Sequence, residues 1–219
     1  MPYKRPYRKR PYRKRRVNRK TGKPTVASVN RKVMKIQRAI EYKHLDTFYS
    51  STVGLTGTVF PISNALQGIS DSQRVGDKLT TTSVMIKYML TQYDVPYNTF
   101  RVVVLRARSG GAQPAIGNVF LQGSGPQAAL PSLWMYNIDW FRSGKAKILM
   151  DKTIVLQGPN DAEPGHITRS MKIPFRTNVQ FQGGSQGANN QLYVMIVSDS
   201  GTTPSPRVSV NVRINYLDL

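Results

Sequence analysis

Three copies of one short unit open the chain: Pro2-Tyr3-Lys4-Arg5, Pro6-Tyr7-Arg8-Lys9-Arg10 and Pro11-Tyr12-Arg13-Lys14-Arg15-Arg16. Arg19, Lys20 and Lys23 continue the series. A lysine or arginine set on a phosphate backbone neutralises one phosphate and releases a counterion. Arginine adds a two-pronged donor fork that matches phosphate oxygens. Tyr3, Tyr7 and Tyr12 offer flat faces for unpaired bases, each stack being worth about 1–3 kcal/mol. Cations interleaved with aromatics therefore suit a single-stranded polynucleotide. Nothing in the segment reads sequence, because base-edge recognition needs a rigid element seated in a groove. The same clusters have the composition of a nuclear import signal, so import receptors are further expected partners.

Other chemistry is thinly represented. His44 and His166 stand far apart, in neither a His-x-His nor a His-Glu-x-x-His setting. There is no Gly-x-Ser-x-Gly elbow and no Walker-type phosphate loop. Gly123-Ser124-Gly125-Pro126 and Gly183-Gly184 read as turns, since a phosphate cradle needs a helix behind it. Asp161 with Glu163, and Asp71 with Asp77, have a spacing that calcium uses, but loop solvation accounts for both pairs. The chain has no cysteine, which excludes disulfides and thiolate-held zinc. A non-enzyme without metal or cofactor is the expectation.

The charge shows how these residues are carried. Of 219 residues, 32 are Lys or Arg and 11 are Asp or Glu, a formal net charge of +21. Residues 1–43 hold 17 of the basic residues and one acid, Glu41, which leaves +16 there and +5 over residues 44–219. Such asymmetry points to a polyanionic partner. Residues 1–27 are expected to be a disordered arm, because like charges repel and three prolines interrupt any packing. Residues 28–43 read as a helix capped by Ser28 or Asn30. Val29, Val33, Ile36 and Ile40 form its apolar stripe, and Arg31, Lys35 and Arg38 face the other way, either toward whatever the arm binds or simply into solvent, with the preceding arm favouring binding. The longest apolar run, about Leu192–Val197, is far short of a membrane span, and no apolar stretch follows the N-terminal charges. A soluble, intracellularly made protein without membrane insertion is expected.

From residue 44 the period is two. Val208, Val210, Val212, Ile214 and Tyr216 alternate with Arg207, Ser209, Asn211, Arg213 and Asn215, the signature of a half-buried strand. Thr82, Val84, Ile86, Tyr88 and Leu90 form a second such face. Phe100–Leu105 is apolar on both faces except at Arg101, so a central strand is expected. Further strands are expected at 44–51, resuming at 57–62, and at 145–157, 165–175, 177–182 and 191–198, with a short turn near Leu133-Trp134-Met135-Tyr136. Roughly eight strands without βα alternation mean an all-β sandwich or barrel. A single eight-stranded jelly roll of two facing four-stranded antiparallel sheets suits residues 44–219 best, with an immunoglobulin-type sandwich second.

Basic arm, amphipathic helix and cysteine-free β domain together resemble the coat proteins of small icosahedral viruses. Arg74-Val75-Gly76-Asp77-Lys78, running into a strand over Thr80–Thr91, is similar to the Arg-x-Gly-Asp element in capsid proteins of circular Rep-encoding single-stranded DNA viruses. Asn98–Arg106 is similar to the Arg-led apolar strand that follows it there. The coat protein of satellite tobacco necrosis virus resembles the chain in plan. The resemblance implies a homo-oligomeric shell of sixty copies in a virion, assembled in the host nucleus, with the arms inward on a single-stranded genome and a host receptor outside. Sixty leaders of +16 would bring about 960 charges, the scale of a genome of about one to two thousand nucleotides. It also implies Arg74, Lys78, Lys87, Arg101 and Arg106 as candidates for the inner wall. Trp134, Tyr136 and Trp140 are expected in subunit contacts or, for the tryptophans equally, in the core. A nucleic-acid chaperone or nuclear shuttle protein is the alternative, but it has little need of so large a β domain.

Overall fold

The computed structural model describes residues 26–39, 42–69, 72–93, 97–108, 113–122, 128–157, 165–181, 187–201 and 205–218. The chain divides into two compact units, Met1–Ile40 and Glu41–Leu219. The first contains α1, Val26–Ala39. Its start lies two residues before the expected one, so Ser28 and Asn30 sit inside the helix and are not its caps. Its end also comes earlier, because Tyr42 and Lys43 already pair with Tyr216 and Leu217 in the sheet, and the Lys43 ammonium, largely buried, donates to the Gln73 carbonyl at 3.3 Å. The arm from Tyr3 to Lys23 lies outside the described residues.

The second unit contains β1 (Tyr42–Thr52), β2 (Thr58–Pro61), β3 (Lys78–Thr91), β4 (Tyr97–Ala107), α2 (Ile116–Val119), β5 (Phe120–Leu121), β6 (Met135–Tyr136), α3 (Ile138–Arg142), β7 (Ala146–Gln157), β8 (His166–Phe181), β9 (Gly187–Asn189), β10 (Gln191–Ser198) and β11 (Arg207–Asp218). A 3-10 turn at Pro131–Leu133 precedes β6. The first sheet runs β1-β11-β3-β8, lengthened by the three residues of β9, and the second runs β2-β10-β4-β7. First strand pairs with last, β2 with β10, β3 with β8 and β4 with β7, all antiparallel. A long four-on-four hairpin wrapped into two facing sheets is a jelly roll, and this nested pairing separates it from the immunoglobulin arrangement.

Side-chain alternation builds the core. Val208, Val210, Val212, Ile214 and Tyr216 are all buried, and Val84, Ile86, Tyr88 and Leu90 lie opposite them on β3. They meet Phe100, Val102 and Val104 of β4 and Leu192, Val194 and Ile196 of β10 across the sandwich. Fully burying each such side chain stabilises the fold by about 1.5–3 kcal/mol. The Tyr49 hydroxyl donates to the Pro61 carbonyl, tying β1 in one sheet to β2 in the other.

Two expected strands, 165–175 and 177–182, are one strand. Between Pro174 and Thr177, β8 carries one residue more than its partner β3, which makes a β-bulge. Proline lacks the ladder donor and is tolerated at bulges and on edges. Pro174 has both conditions, because β9 reaches only Gln180 and Phe181.

Segment 113–145 supplies a third layer. Val103, Leu105 and Ala107 of β4, with Tyr193, Met195 and Val197 of β10, point away from the sandwich into a second cluster with Ile116, Val119, Phe120 and Trp134. The middle strands β4 and β10 are therefore covered on both faces, which is why Val102–Leu105 and Leu192–Val197 run apolar without alternation. Trp134 is core, in keeping with one of the two readings its sequence allows.

Candidate nucleic-acid interface

Among the described residues, most of one face of the first sheet stands exposed. Residues that alternate with its buried set stand outward and exposed: Tyr42, His44, Asp46 and Phe48 on β1, Arg207, Asn211 and Arg213 on β11, Met85, Lys87 and Met89 on β3, and His166, Thr168, Ser170 and Lys172 on β8. The antiparallel register aligns them in rows. One row reads Asp46, Arg213, Met85, Lys172, and the next reads Phe48, Asn211, Lys87, Ser170. With strands about 4.8 Å apart, each row spans four strands. Lys87, Lys172, Arg207 and Arg213 stand on this face against one acid among its described side chains, Asp46.

Arg213 grips Asp46 through both prongs, at 2.7 and 2.6 Å. The hydrogen bond from Arg213, followed by its charge, outweighs burial and holds the Asp46 carboxyl below the ordinary carboxylate range. Lys87 and Lys172 flank this pair across β3, and Arg207 stands near the far end of β11. Exposed Phe48, Met85 and Met89 lie among them. A flat surface with spaced cations and apolar faces can track a phosphate backbone and support bases without reading them.

Neutral alanine at Lys87, Lys172 and Arg207 together is expected to lower the slope of log affinity against log salt by about 2, taking about 0.7 per phosphate contact on a single strand. Titration of the full chain with poly(dT) at several salt concentrations checks this.

Sequence-predicted site residues fall in three places. Those from Tyr3 to Lys23 lie outside the described residues. Arg31 is exposed on α1, while Lys35 and Arg38 are placed on the same helix by backbone only. Of the inner-wall candidates, Lys78 and Lys87 are exposed, Lys87 within the rows described above and Lys78 at the start of the same strand.

Arg74 and Arg101 do not face a binding surface, because both are buried and engaged within the domain. Arg74 is 0% exposed. It donates to the Ala65 carbonyl at 3.2 Å and to Asp77 at 3.1 Å, and lies 4.2 Å over the Phe181 ring. Asp77, one half of a possible calcium pair, is thus an arginine partner, and Asp71, Asp161 and Glu163 lie outside the described residues. Arg106 is half-buried between the sheets, donating to Thr177 at 3.1 Å.

Arg101 faces the third layer. It bonds the Asp151 carboxylate at 2.7 Å and donates to the carbonyls of Pro131 and Trp134 at 2.9 and 2.6 Å. The rings of Phe120 and Tyr136 lie 4.5 and 5.1 Å from its guanidinium. The Tyr136 hydroxyl donates to the same carboxylate. Burial works against the Asp151 charge, but hydrogen bonds from Arg101 and Tyr136 prevail and lower its pKa. Burial, then Asp151 itself, raises that of Tyr136.

A carboxyl group held below its unfolded value, about 3.9, adds stability that is complete above that value and lost as pH falls through the folded one. Acid unfolding of the domain is therefore expected to steepen below about pH 4, and Asp151→Asn to flatten the decline. Denaturant titrations between pH 2 and 7 test this.

The outward row of β11 was visible as the polar half of its alternation. Lys172 was missed, because its place beside Met85 depends on cross-strand register. Both histidines lie exposed on the bare face, His166 at the first residue of β8 and not in a loop. Among the described residues no three His, Cys, Asp or Glu side chains gather as metal ligands, and no helix is long and apolar enough to cross a membrane.

No protein-family model matches the chain, and no curated protein matches it. Among solved structures, a chain from the disulfide-linked pili of Bacillus endospore appendages is similar at 11% identity, covering 82% of this chain and 91% of that one, with a TM-score of 0.30. Likeness at that level carries no argument about function.

Proposed function

We propose that the chain is a viral capsid protein that self-assembles into an icosahedral shell of sixty copies and packages circular single-stranded DNA without reading its sequence. The observation that carries this reading is the division of charge: +16 of the net +21 precedes residue 44, ahead of a jelly roll. The leader condenses the genome by neutralising phosphates and stacking bases on Tyr3, Tyr7 and Tyr12. Arg31, Lys35 and Arg38 extend that contact from the helix. The bare sheet face supports an inward orientation, since its cations would meet the same strand. The covered second sheet would then look outward. Clusters of Arg and Lys in the leader would bring the newly made chain to the host nucleus through import receptors before assembly in virions.

Incubation of the full chain with a random single-stranded DNA pool, followed by nuclease digestion, tests the packaging step. Protected DNA is expected to match the input pool in sequence composition. Strong enrichment of one motif would contradict binding without readout, and an absence of protection would contradict packaging.

A further inference from the structure

The segment joining β4 to β7 leaves apolar surface of its own uncovered. Leu121 of β5 and Met135 of β6 are direct cross-strand partners, 54% and 74% exposed. Leu133 and Ile138, 60% and 56% exposed, stand just before and after Met135 in the chain. An open hollow of about 390 Å³ between Tyr136, Ile138, Phe141, Arg142 and Ile148 continues this surface. The fold does not need these exposed side chains, because buried Phe120 and Trp134 already fasten the segment to the second sheet. Large apolar groups gathered on one surface element mark a contact site.

Charge indicates the partner. Unlike the bare sheet face, this patch carries one acid and one base on α3, Asp139 and Arg142, three residues apart and both exposed. Neither takes part in an ion pair among the described residues. A second copy of the same patch is complementary to it, offering a base to the acid and an apolar centre to the apolar centre, as an isologous contact requires.

We infer that this patch is a contact between two copies of the chain, with Leu121, Leu133, Met135 and Ile138 packed across it and Asp139 facing the partner subunit's Arg142. The inference rests on the assembly proposed above and assigns one of its interfaces.

Sedimentation velocity of the full chain, with circular dichroism as a check on folding, tests it. Leu121→Ser combined with Met135→Glu is expected to give small species at concentrations where the natural chain is wholly assembled, with an unchanged spectrum. Asp139→Lys and Arg142→Glu are each expected to weaken self-association about tenfold, and the double exchange to restore it. Particles from the Leu121/Met135 variant that match those of the natural chain would overturn the interface while leaving assembly intact. A double exchange that restores nothing would overturn the Asp139–Arg142 pairing. A natural chain that stays monomeric would instead refute assembly itself.

Discussion

Deleting residues 1–25 is expected to abolish packaging while leaving the β domain folded. The deletion removes twelve basic side chains and Tyr3, Tyr7 and Tyr12 but no residue of the jelly roll. If each cation holds one phosphate, the slope of log affinity against log salt falls by about 8 for a single strand. Between 50 and 200 mM salt, a slope of that size corresponds to about a 10⁵-fold change in affinity, so truncated and full chains should differ most at low salt and converge as salt rises. Loss of stacking adds a contribution that salt does not screen. Thermal melting of the truncated chain should match that of the full chain, because the core lies in Glu41–Leu219. Filter binding with poly(dT) and a melt monitored by circular dichroism measure the two halves of this expectation. Retained affinity would move the binding surface wholly onto the domain.

Arg101→Ala is expected to be the most damaging single substitution in the domain. The side chain is 8% exposed, and it satisfies one carboxylate and two carbonyls at once. Removing it leaves Asp151 without its counter-ion and the carbonyls of Pro131 and Trp134 without their donor. Breaking a buried ion pair from one side costs about 3–5 kcal/mol. That is a large share of the roughly 5–15 kcal/mol by which a domain is stable, and at this chain length it lowers Tm by about 6–20 °C. Arg101→Lys keeps the charge but loses the planar fork, so an intermediate loss is expected. Because the third layer hangs on this contact, the near-ultraviolet signal from Trp134 and Tyr136 should fade before the far-ultraviolet signal of the sheets. A melt of Arg101→Ala within 2 °C of the natural chain would show that the clamp is dispensable.

Alternation made much of the fold legible. On β11 every second residue is apolar and every one of those is buried, so strand, face and core could all be read from one line of sequence. Phe100–Leu105 announced a strand covered on both sides, although the cover itself, built from short pieces such as α2 and β5, has too few residues for a period to show. The bulge that joins 165–175 to 177–181 is set by pairing with β3 and leaves only Pro174 as a local sign. Arginine was the least legible residue type. Arg74, Arg101 and Lys87 carry the same charge, yet Arg101 is enclosed by carbonyls and a carboxylate from 30 or more positions away and Arg74 lies over the ring of distant Phe181, while Lys87 stands in the open. Spacing along the chain holds no record of such distant partners. The cationic sheet face has the same origin, since its rows exist only once four strands are in register.

The mass of the purified full chain in moderate salt tests the central claim most directly, measured by sedimentation equilibrium together with the ratio of absorbance at 260 and 280 nm. The account predicts one uniform particle containing sixty copies of 24.6 kDa, about 1.5 MDa of protein, with an absorbance ratio that reports enclosed nucleic acid. A stable 24.6 kDa monomer at every salt and protein concentration would contradict it.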